Sequence, residues 1–119
     1  MNVAVVGASD NPERTSHQAV ERLAAQGHRV FPVHPKLKRL LGLPVYASLD
    51  KIPQPVDTVS LYVGKDISAG LEGPILALKP RRVLFNPGAE NPDLEARLSA
   101  AGIQTLEACT LVLLSTNRF

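Results

Sequence analysis

Small and hydroxyl-bearing residues follow the first apolar run of the chain, in the order expected of a phosphate-binding turn. The segment VAVVGASDNPERTSHQAV, residues 3–20, is typical of a strand, a glycine turn and a helix. Gly7 permits a tight turn, and the helix would direct its positive end to the same place. Several side chains there can donate to phosphate: Ser9, Asn11, Arg14, Thr15 and Ser16. The pattern suits a diphosphate, but it has one glycine where the dinucleotide fingerprint has three, so an ordinary strand–helix turn is the alternative.

A basic segment, FPVHPKLKR (residues 31–39), follows the second apolar run and is the second chemical signal. Nicotinamide dinucleotide sites usually place an acidic residue here for the ribose 2′-hydroxyl, and this segment has none, which disfavours NAD. Three cations instead suit a ribose with an additional phosphate: Lys36, Lys38 and Arg39. NADP carries such a group at the 2′ position and coenzyme A at the 3′ position. A solvated basic loop is the alternative.

No other group of residues predicts catalysis or metal binding. His17, His28 and His34 lack ligand spacing, and we expect His17 and His28 on the surface. Cys109 has no sulfur partner, and a buried inert thiol is favoured over a reactive one. The sequence therefore predicts no metal site and no enzymatic activity.

The elements that must position these residues alternate between strand and helix. Apolar runs predict five strands, over residues 2–6, 29–33, 57–63, 81–85 and 104–107. A helix is predicted over 15–26, with Thr15 and Gln18 as a capping box. A second is predicted over 66–78, where glycines and Pro74 favour a kink or a break. A third begins after the cap Asn91 and ends at Gly102, and the last ten residues form a short helix or a tail.

This alternation predicts an α/β, Rossmann-like, doubly wound parallel sheet of five strands in the order 3-2-1-4-5, with three α/β/α layers. Residues 1–119 fit one domain. Ligands of such sheets bind beyond the carboxyl ends of the strands. The loops that start there begin at Gly7, His34, Val63 and Asn86.

Charge and composition narrow the class of partner. A net charge of +2 is too small to indicate nucleic acid or a membrane surface, and no apolar stretch approaches the ~20 residues of a spanning helix. The single cysteine and the absence of a signal-peptide pattern favour the cytoplasm. The apolar segment 110–119 can complete the core or pack on a second copy, so a homo-oligomer is compatible with the sequence while a protein partner stays unidentified.

An ordered set of motifs resembles the small CoA-binding domain family, which is similar to the N-terminal domain of the succinyl-CoA synthetase α subunit. The motifs are VVGAS, RVFPVHP, LGLPVYASLDKIPQPVDTVSLYV, FNPGAEN and a late cysteine after AAGI. They span essentially the whole chain. Two positions depart from the family pattern, since His34 stands where Asn is frequent and Leu84–Asn86 stand where Trp-Leu-Gln is frequent.

The resemblance implies a set of coenzyme A contacts. A diphosphate would lie against Gly7, Ala8, Ser9, Asn11, Arg14 and Ser16. The adenosine would be flanked by Val33, His34 and Pro35, and the 3′-phosphate would meet Lys36 or Lys38. The adenine or pantetheine would face Tyr62 and Val63, and the pantetheine arm would pass Pro87 and Gly88.

The resemblance favours a protein that binds CoA or acyl-CoA without chemistry of its own, because the reactive histidine of the synthetase lies in other domains. An NADP-binding oxidoreductase or other nucleotide-binding module shares the basic segment but needs a fuller glycine fingerprint. A flavodoxin-like FMN protein is disfavoured by the aromatic content of 4%.

Overall fold

Five parallel strands form the central sheet of the structure, a computed structural model that describes residues 1–119. The chain has seven strands, β1 (Asn2–Val6), β2 (Arg29–Val33), β3 (Arg39–Leu40), β4 (Leu43–Pro44), β5 (Thr58–Leu61), β6 (Arg82–Phe85) and β7 (Gln104–Glu107), of which all but β3 and β4 belong to this sheet. Strands β3 and β4 form a separate antiparallel hairpin. The predicted fold class, a Rossmann-like α/β sheet, is confirmed.

The predicted strand order is wrong in one respect. The sheet runs β2-β1-β5-β6-β7, so its five strands stand in the order 2-1-3-4-5 along the chain, not 3-2-1-4-5. The outer edge of β2, where a third strand was expected, is taken by Tyr46, which exchanges main-chain hydrogen bonds with Pro32 and His34. Because residues 49–56 of the connection from β2 to β5 pack on the face opposite the first helix, a right-handed crossover carries the chain past β1 to its other side.

Helices cover both faces of the sheet. They are α1 (Thr15–Ala25), α2 (Lys65–Ser68), α3 (Glu72–Leu78), α4 (Pro92–Ala100) and α5 (Thr110–Ser115). Alternate residues of β1 separate two cores: Val3 and Val5 pack with α1 and α5, while Ala4 and Val6 pack with α3 and α4. None of the five helices combines the length and apolar character needed to cross a bilayer.

The predicted helices are confirmed, including the break expected in the second one, but one predicted cap is wrong. The helix predicted over 66–78 is broken into α2, a 3-10 turn at Ala69–Leu71 and α3. Asn91 caps α4 by accepting from the Leu94 amide at 3.2 Å. The capping box at Thr15 is wrong: Thr15 is already helical, and Gln18 donates its side-chain amide to the Pro12 carbonyl. The preceding loop, rather than a cap, sets the start of α1.

Candidate ligand-binding site

A cavity of about 700 Å³ lies at the carboxyl ends of β1, β2 and β5. The crossovers that leave β1 and β2 run to opposite faces of the sheet, so β1 is the topological switch point, where such sheets bind ligands. One side of the cavity is polar and lies at the start of α1, with Ser9, Asp10, Arg14, Thr15 and Ser16. The other side is largely apolar, with Leu37, Leu49, Val63, Ile67 and Leu71.

The cavity brings together most of the residues that the sequence nominated. Its lining includes Gly7, Ala8, Ser9, Arg14, Ser16, Val33, His34, Pro35, Tyr62 and Val63. The nominated residues outside its lining are Asn11, Lys36, Lys38, Pro87 and Gly88. The individual ligand contacts of both groups stay predictions.

The glycine turn after β1 is held tightly against its neighbours. Gly7 has φ +87°, and a Cβ there would lie 3.0 Å from Val63 Cγ1 and 3.3 Å from the Tyr62 carbonyl carbon. The Gly7 and Ala8 amides both donate to the Val33 carbonyl, at 3.1 and 3.3 Å. These two amides therefore join the turn to β2.

The amides without partners lie one step further along the chain. The main-chain N–H groups of Ser9 and Asp10, and those of the first turn of α1 at residues 15–17, make no hydrogen bond within the chain. The first N–H groups of a helix point outward and carry its positive end. Arg14, exposed at the same place, has no carboxylate partner. The start of α1 is therefore the part of the cavity suited to an anion.

Side chains of the loop before α1 hold its main chain in place. Ser9 Oγ accepts from the Asn11 amide at 3.1 Å, and Asn11 Oδ1 accepts from the Glu13 amide at 3.0 Å. Asn11 thus shapes the loop and does not reach the cavity. His17 is buried, contrary to the expected surface position, because its Nδ1 lies 2.8 Å from the Ser9 carbonyl oxygen.

The loop after β2 presents an apolar side chain to the cavity and its cations to solvent. His34 Nδ1 accepts from the amides of Lys36 and Leu37. Leu37 lines the cavity, while Lys36 and Lys38 are exposed and form no salt bridge. The sequence pattern predicted cations here, and the structure places them outside the cavity lining, next in the chain to the lining residues Pro35 and Leu37.

Tyr62 separates the cavity from the core beneath α1 and α5. Its hydroxyl oxygen is buried and has no hydrogen-bond partner. Burial raises the pKa of Tyr62 to about 12, and the nearby hydroxyls of Thr110 and Ser60 offset this only partly. The phenol therefore keeps its proton through the neutral range.

The end of β6 is closed by a buried polar network. Asn86 donates to Ser60 Oγ at 2.9 Å and to the Leu61 carbonyl at 2.8 Å, and its Oδ1 accepts from the Thr110 amide at 2.8 Å. Gly88 follows in an exposed turn, where its amide donates to Glu90. Pro87 and Gly88, which the sequence nominated for the pantetheine arm, thus follow this buried network in the chain and lie outside the cavity lining.

The remaining histidine and the cysteine lie away from the cavity. His28 packs edge-on against Phe119, with ring centroids 5.2 Å apart, and burial together with the Met1 amino group lowers its pKa. Cys109 is half-buried and immediately precedes α5. No group of three His, Cys, Asp or Glu side chains is arranged to hold a metal ion.

Several lining residues had no sequence signal of function. Ser48 and Leu49 reach the cavity because Tyr46 pairs with β2 and draws the following turn to the same edge. Ile67 and Leu71 are four residues apart, a spacing that is typical of the packed face of a helix and does not by itself indicate a ligand site. Only the Tyr46 bridge and the broken helix bring these four residues together.

The chain matches one protein family and is similar to several proteins of known sequence. The profile of the CoA binding domain family matches residues 1–115. The uncharacterized protein YneT of Bacillus subtilis is 38% identical over 60 residues, which are 50% of this chain and 44% of that protein. The α subunit of the ADP-forming acetate–CoA ligase II of Pyrococcus furiosus is 33% identical over 64 residues, 53% of this chain and 14% of the subunit. The aligned segment thus spans less than half of either relative.

Solved structures share the whole fold. An uncharacterized protein is 40% identical with a TM-score of 0.93, covering 99% of this chain and 97% of its own. A Thermus thermophilus protein is 31% identical with a TM-score of 0.90, covering 99% and 90%. The dinucleotide-forming acetyl-coenzyme A synthetase of Ca. Korarchaeum cryptofilum is 25% identical with a TM-score of 0.77, covering 90% of this chain and 25% of the synthetase.

Proposed function

The chain belongs to the CoA binding domain family, and from that premise we propose that it binds coenzyme A or an acyl-CoA without transforming it. The observation that carries the proposal is the two-sided cavity at the end of β1. Unpartnered amides at the start of α1 suit a diphosphate, and the apolar wall suits the adenine or pantetheine on either side of it.

Several polar side chains near the cavity already form hydrogen bonds within the chain, which supports a binding role rather than catalysis. Asn11, His17 and the Nδ1 of His34 are all engaged with main-chain groups. Tyr62, with its pKa raised to about 12, is a poor proton donor or acceptor at neutral pH. The ligases among the relatives are several times longer than the aligned segment, so their ligase activity is not extended to this chain. We place the protein in the cytoplasm, which suits its unpaired cysteine.

We assign the 3′-phosphate of the coenzyme to the loop after β2 that carries Lys36 and Lys38, which we call the basic loop. Lys36 and Lys38 are exposed on either side of the lining residue Leu37 in the chain and have no acidic partners, so a dianion there would gain charge-assisted contacts. One partly buried contact of this kind gives about 1–3 kcal/mol.

Identification of the ligand carried through purification tests the class of molecule. Small molecules released from freshly purified protein are separated, and their mass and absorbance are recorded. We expect CoA or an acyl-CoA, which absorbs only in the adenine band. NADP(H) or FMN in stoichiometric amount, with CoA failing to bind in a titration, would refute the proposal.

Calorimetry with CoA and dephospho-CoA tests the role of the basic loop. We expect tighter binding of CoA by about 1–3 kcal/mol in the native protein. Lys36→Ala with Lys38→Ala should remove most of that difference. The matched control is Arg29→Ala with Arg81→Ala, which removes two exposed cations at the amino ends of β2 and β6, away from the cavity. An unchanged difference in the lysine variant would refute the assignment of the 3′-phosphate.

A further inference from the structure

The imidazole of His34 anchors the basic loop through one nitrogen. The main-chain amides of Lys36 and Leu37 both donate to Nδ1, at 3.0 and 3.1 Å. A ring nitrogen that accepts two hydrogen bonds carries no proton, so the neutral ring holds its proton on Nε2. The side chain therefore closes a turn of the main chain, as a carboxamide oxygen does in an Asx turn.

The base of this anchor is rigid. The His34 amide donates to the Tyr46 carbonyl at 3.0 Å, which extends the ladder of β2 by one residue. At the far end of the loop, the Lys38 carbonyl accepts from the Val45 amide at 3.0 Å. Between these two fixed points, the Nδ1 bonds of His34 orient the peptide groups that carry Lys36 and Leu37. With this orientation Leu37 lines the cavity and Lys36, the residue before it, is exposed.

We propose that His34 is a positioning residue that sets the preference of the site for a 3′-phosphorylated coenzyme. The inference rests on the proposed function, because the phosphate that the loop would meet belongs to CoA. A loop held in place before binding does not have to be ordered by the ligand, so its cations contribute more of their contact energy to affinity. Without the anchor, the same lysines are present but their main chain is free.

Two substitutions separate the anchor from a direct contact between the ring and the ligand. In His34→Asn, the side-chain Oδ1 can accept from the amide two residues later, so the turn is kept while the Nε2–H donor is lost. In His34→Ala both are lost. His34→Asn therefore keeps the hydrogen bond that positions the loop. It removes any ligand contact made by Nε2 as completely as His34→Ala does.

The experiment measures the ratio of the dissociation constants for dephospho-CoA and CoA in the wild type, His34→Asn and His34→Ala, with thermal unfolding as the check on folding. We expect His34→Asn to keep the ratio within about twofold, and His34→Ala to lower it about tenfold. In a Lys36→Ala, Lys38→Ala background, His34→Ala should change the ratio no further. A ratio that persists in His34→Ala, or that His34→Asn loses as completely as His34→Ala, would overturn the inference.

A measurement on the unsubstituted protein tests the anchor even if His34→Ala fails to fold. Nitrogen-15 shifts of the neutral His34 ring should report an unprotonated Nδ1 and a protonated Nε2. A proton on Nδ1 would overturn the inference whatever the protein binds. Wild-type protein that does not bind CoA would instead refute the proposed function, while equal affinity for the two coenzymes would leave CoA binding standing and refute both the selectivity and its assignment to His34.

Discussion

The carboxyl ends of β1 and β6 are each followed by a turn that contains a glycine, and the two ends have opposite character. Gly7 and Gly88 have nearly the same backbone angle, φ +87° and φ +91°. Beyond β1 the sheet opens into the cavity, whereas beyond β6 the space is filled by Asn86 and its hydrogen-bond partners. Similar turn sequences therefore serve a ligand site in one place and a closed edge in the other.

Topology explains the difference better than turn composition. The chain leaves β1 and β2 toward opposite faces, which leaves a gap above β1, but the connections after β5 and β6 pack on one face. The glycines also differ in their surroundings, since a Cβ on Gly7 would press on Val63 while one on Gly88 would meet nothing within 4 Å. The close approach at Gly7 is what a compact site needs.

Removing the side chain of Asn86 should have the largest effect on stability and leave the ligand site intact. Asn86→Ala leaves Ser60, the Leu61 carbonyl and the Thr110 amide short of a buried partner. We expect a loss of about 3–5 kcal/mol in the free energy of unfolding, measured with urea. The CoA dissociation constant of the folded fraction should change less than about twofold. Lost affinity in a folded variant would place the ligand at the β6 edge instead.

Adding one methyl group to each glycine compares the two turns directly. Gly7→Ala combines a left-handed backbone with a contact of 3.0 Å, so we expect about 2–4 kcal/mol of destabilisation and a large loss of CoA affinity. Gly88→Ala has the backbone penalty alone, about 1–2 kcal/mol, with unchanged affinity. Urea unfolding and calorimetry measure both quantities. Equal effects of the two variants on affinity would remove the distinction between the turns.

Shortening Ile67 tests whether the apolar wall contacts the ligand. Ile67 is 62% exposed and lines the cavity, and Val112 is 56% exposed on α5, outside the lining. Neither Ile67→Ala nor Val112→Ala should change stability by more than about 0.5 kcal/mol. Ile67→Ala should weaken CoA about three- to tenfold, since ligand binding would cover the side chain, and Val112→Ala should not. Calorimetry that finds both variants equal to wild type would exclude Ile67 from the site.

The smallest effect on stability is expected at Tyr62, and the pH-dependent part of that effect appears only in alkali. An unfolded tyrosine ionises near its ordinary pKa, but the folded protein keeps the Tyr62 proton until a pH of about 12. Between these two values the unfolded chain alone releases the proton, so stability falls as the pH rises. Tyr62→Phe should make that fall shallower and should slightly stabilise the protein near neutral pH, because it removes an unpartnered hydroxyl. Urea unfolding at several alkaline pH values tests this, and parallel curves would contradict it.

Sequence reasoning worked where short-range signals decide the outcome. The apolar runs predicted the five strands, with ends within two residues of those observed. Glycines and Pro74 predicted the broken helix, and Asn91 with Pro92 predicted the cap of α4. The turn after β1 and the end of β2 were correctly expected to meet, since any parallel sheet brings adjacent carboxyl ends to one edge.

The failures come from contacts distant in sequence. Tyr46 occupies the edge of β2, which reverses the next crossover and changes the strand order. Asn86 is buried against Ser60 and Thr110, so the turn after it is separated from the cavity. His17 is buried because a carbonyl eight residues earlier faces it. No periodicity or local composition encodes these pairings.

An amide-resolved titration of the protein with CoA tests the central claim most directly, which is that the coenzyme's diphosphate binds at the start of α1. Nitrogen–proton correlation spectra should show the largest shifts at Ser9, Asp10, Thr15 and Ser16, with little change at Gly88 and Ala89. Saturable binding whose largest shifts fall around Gly88, or no shifts at ligand excess, would contradict the account.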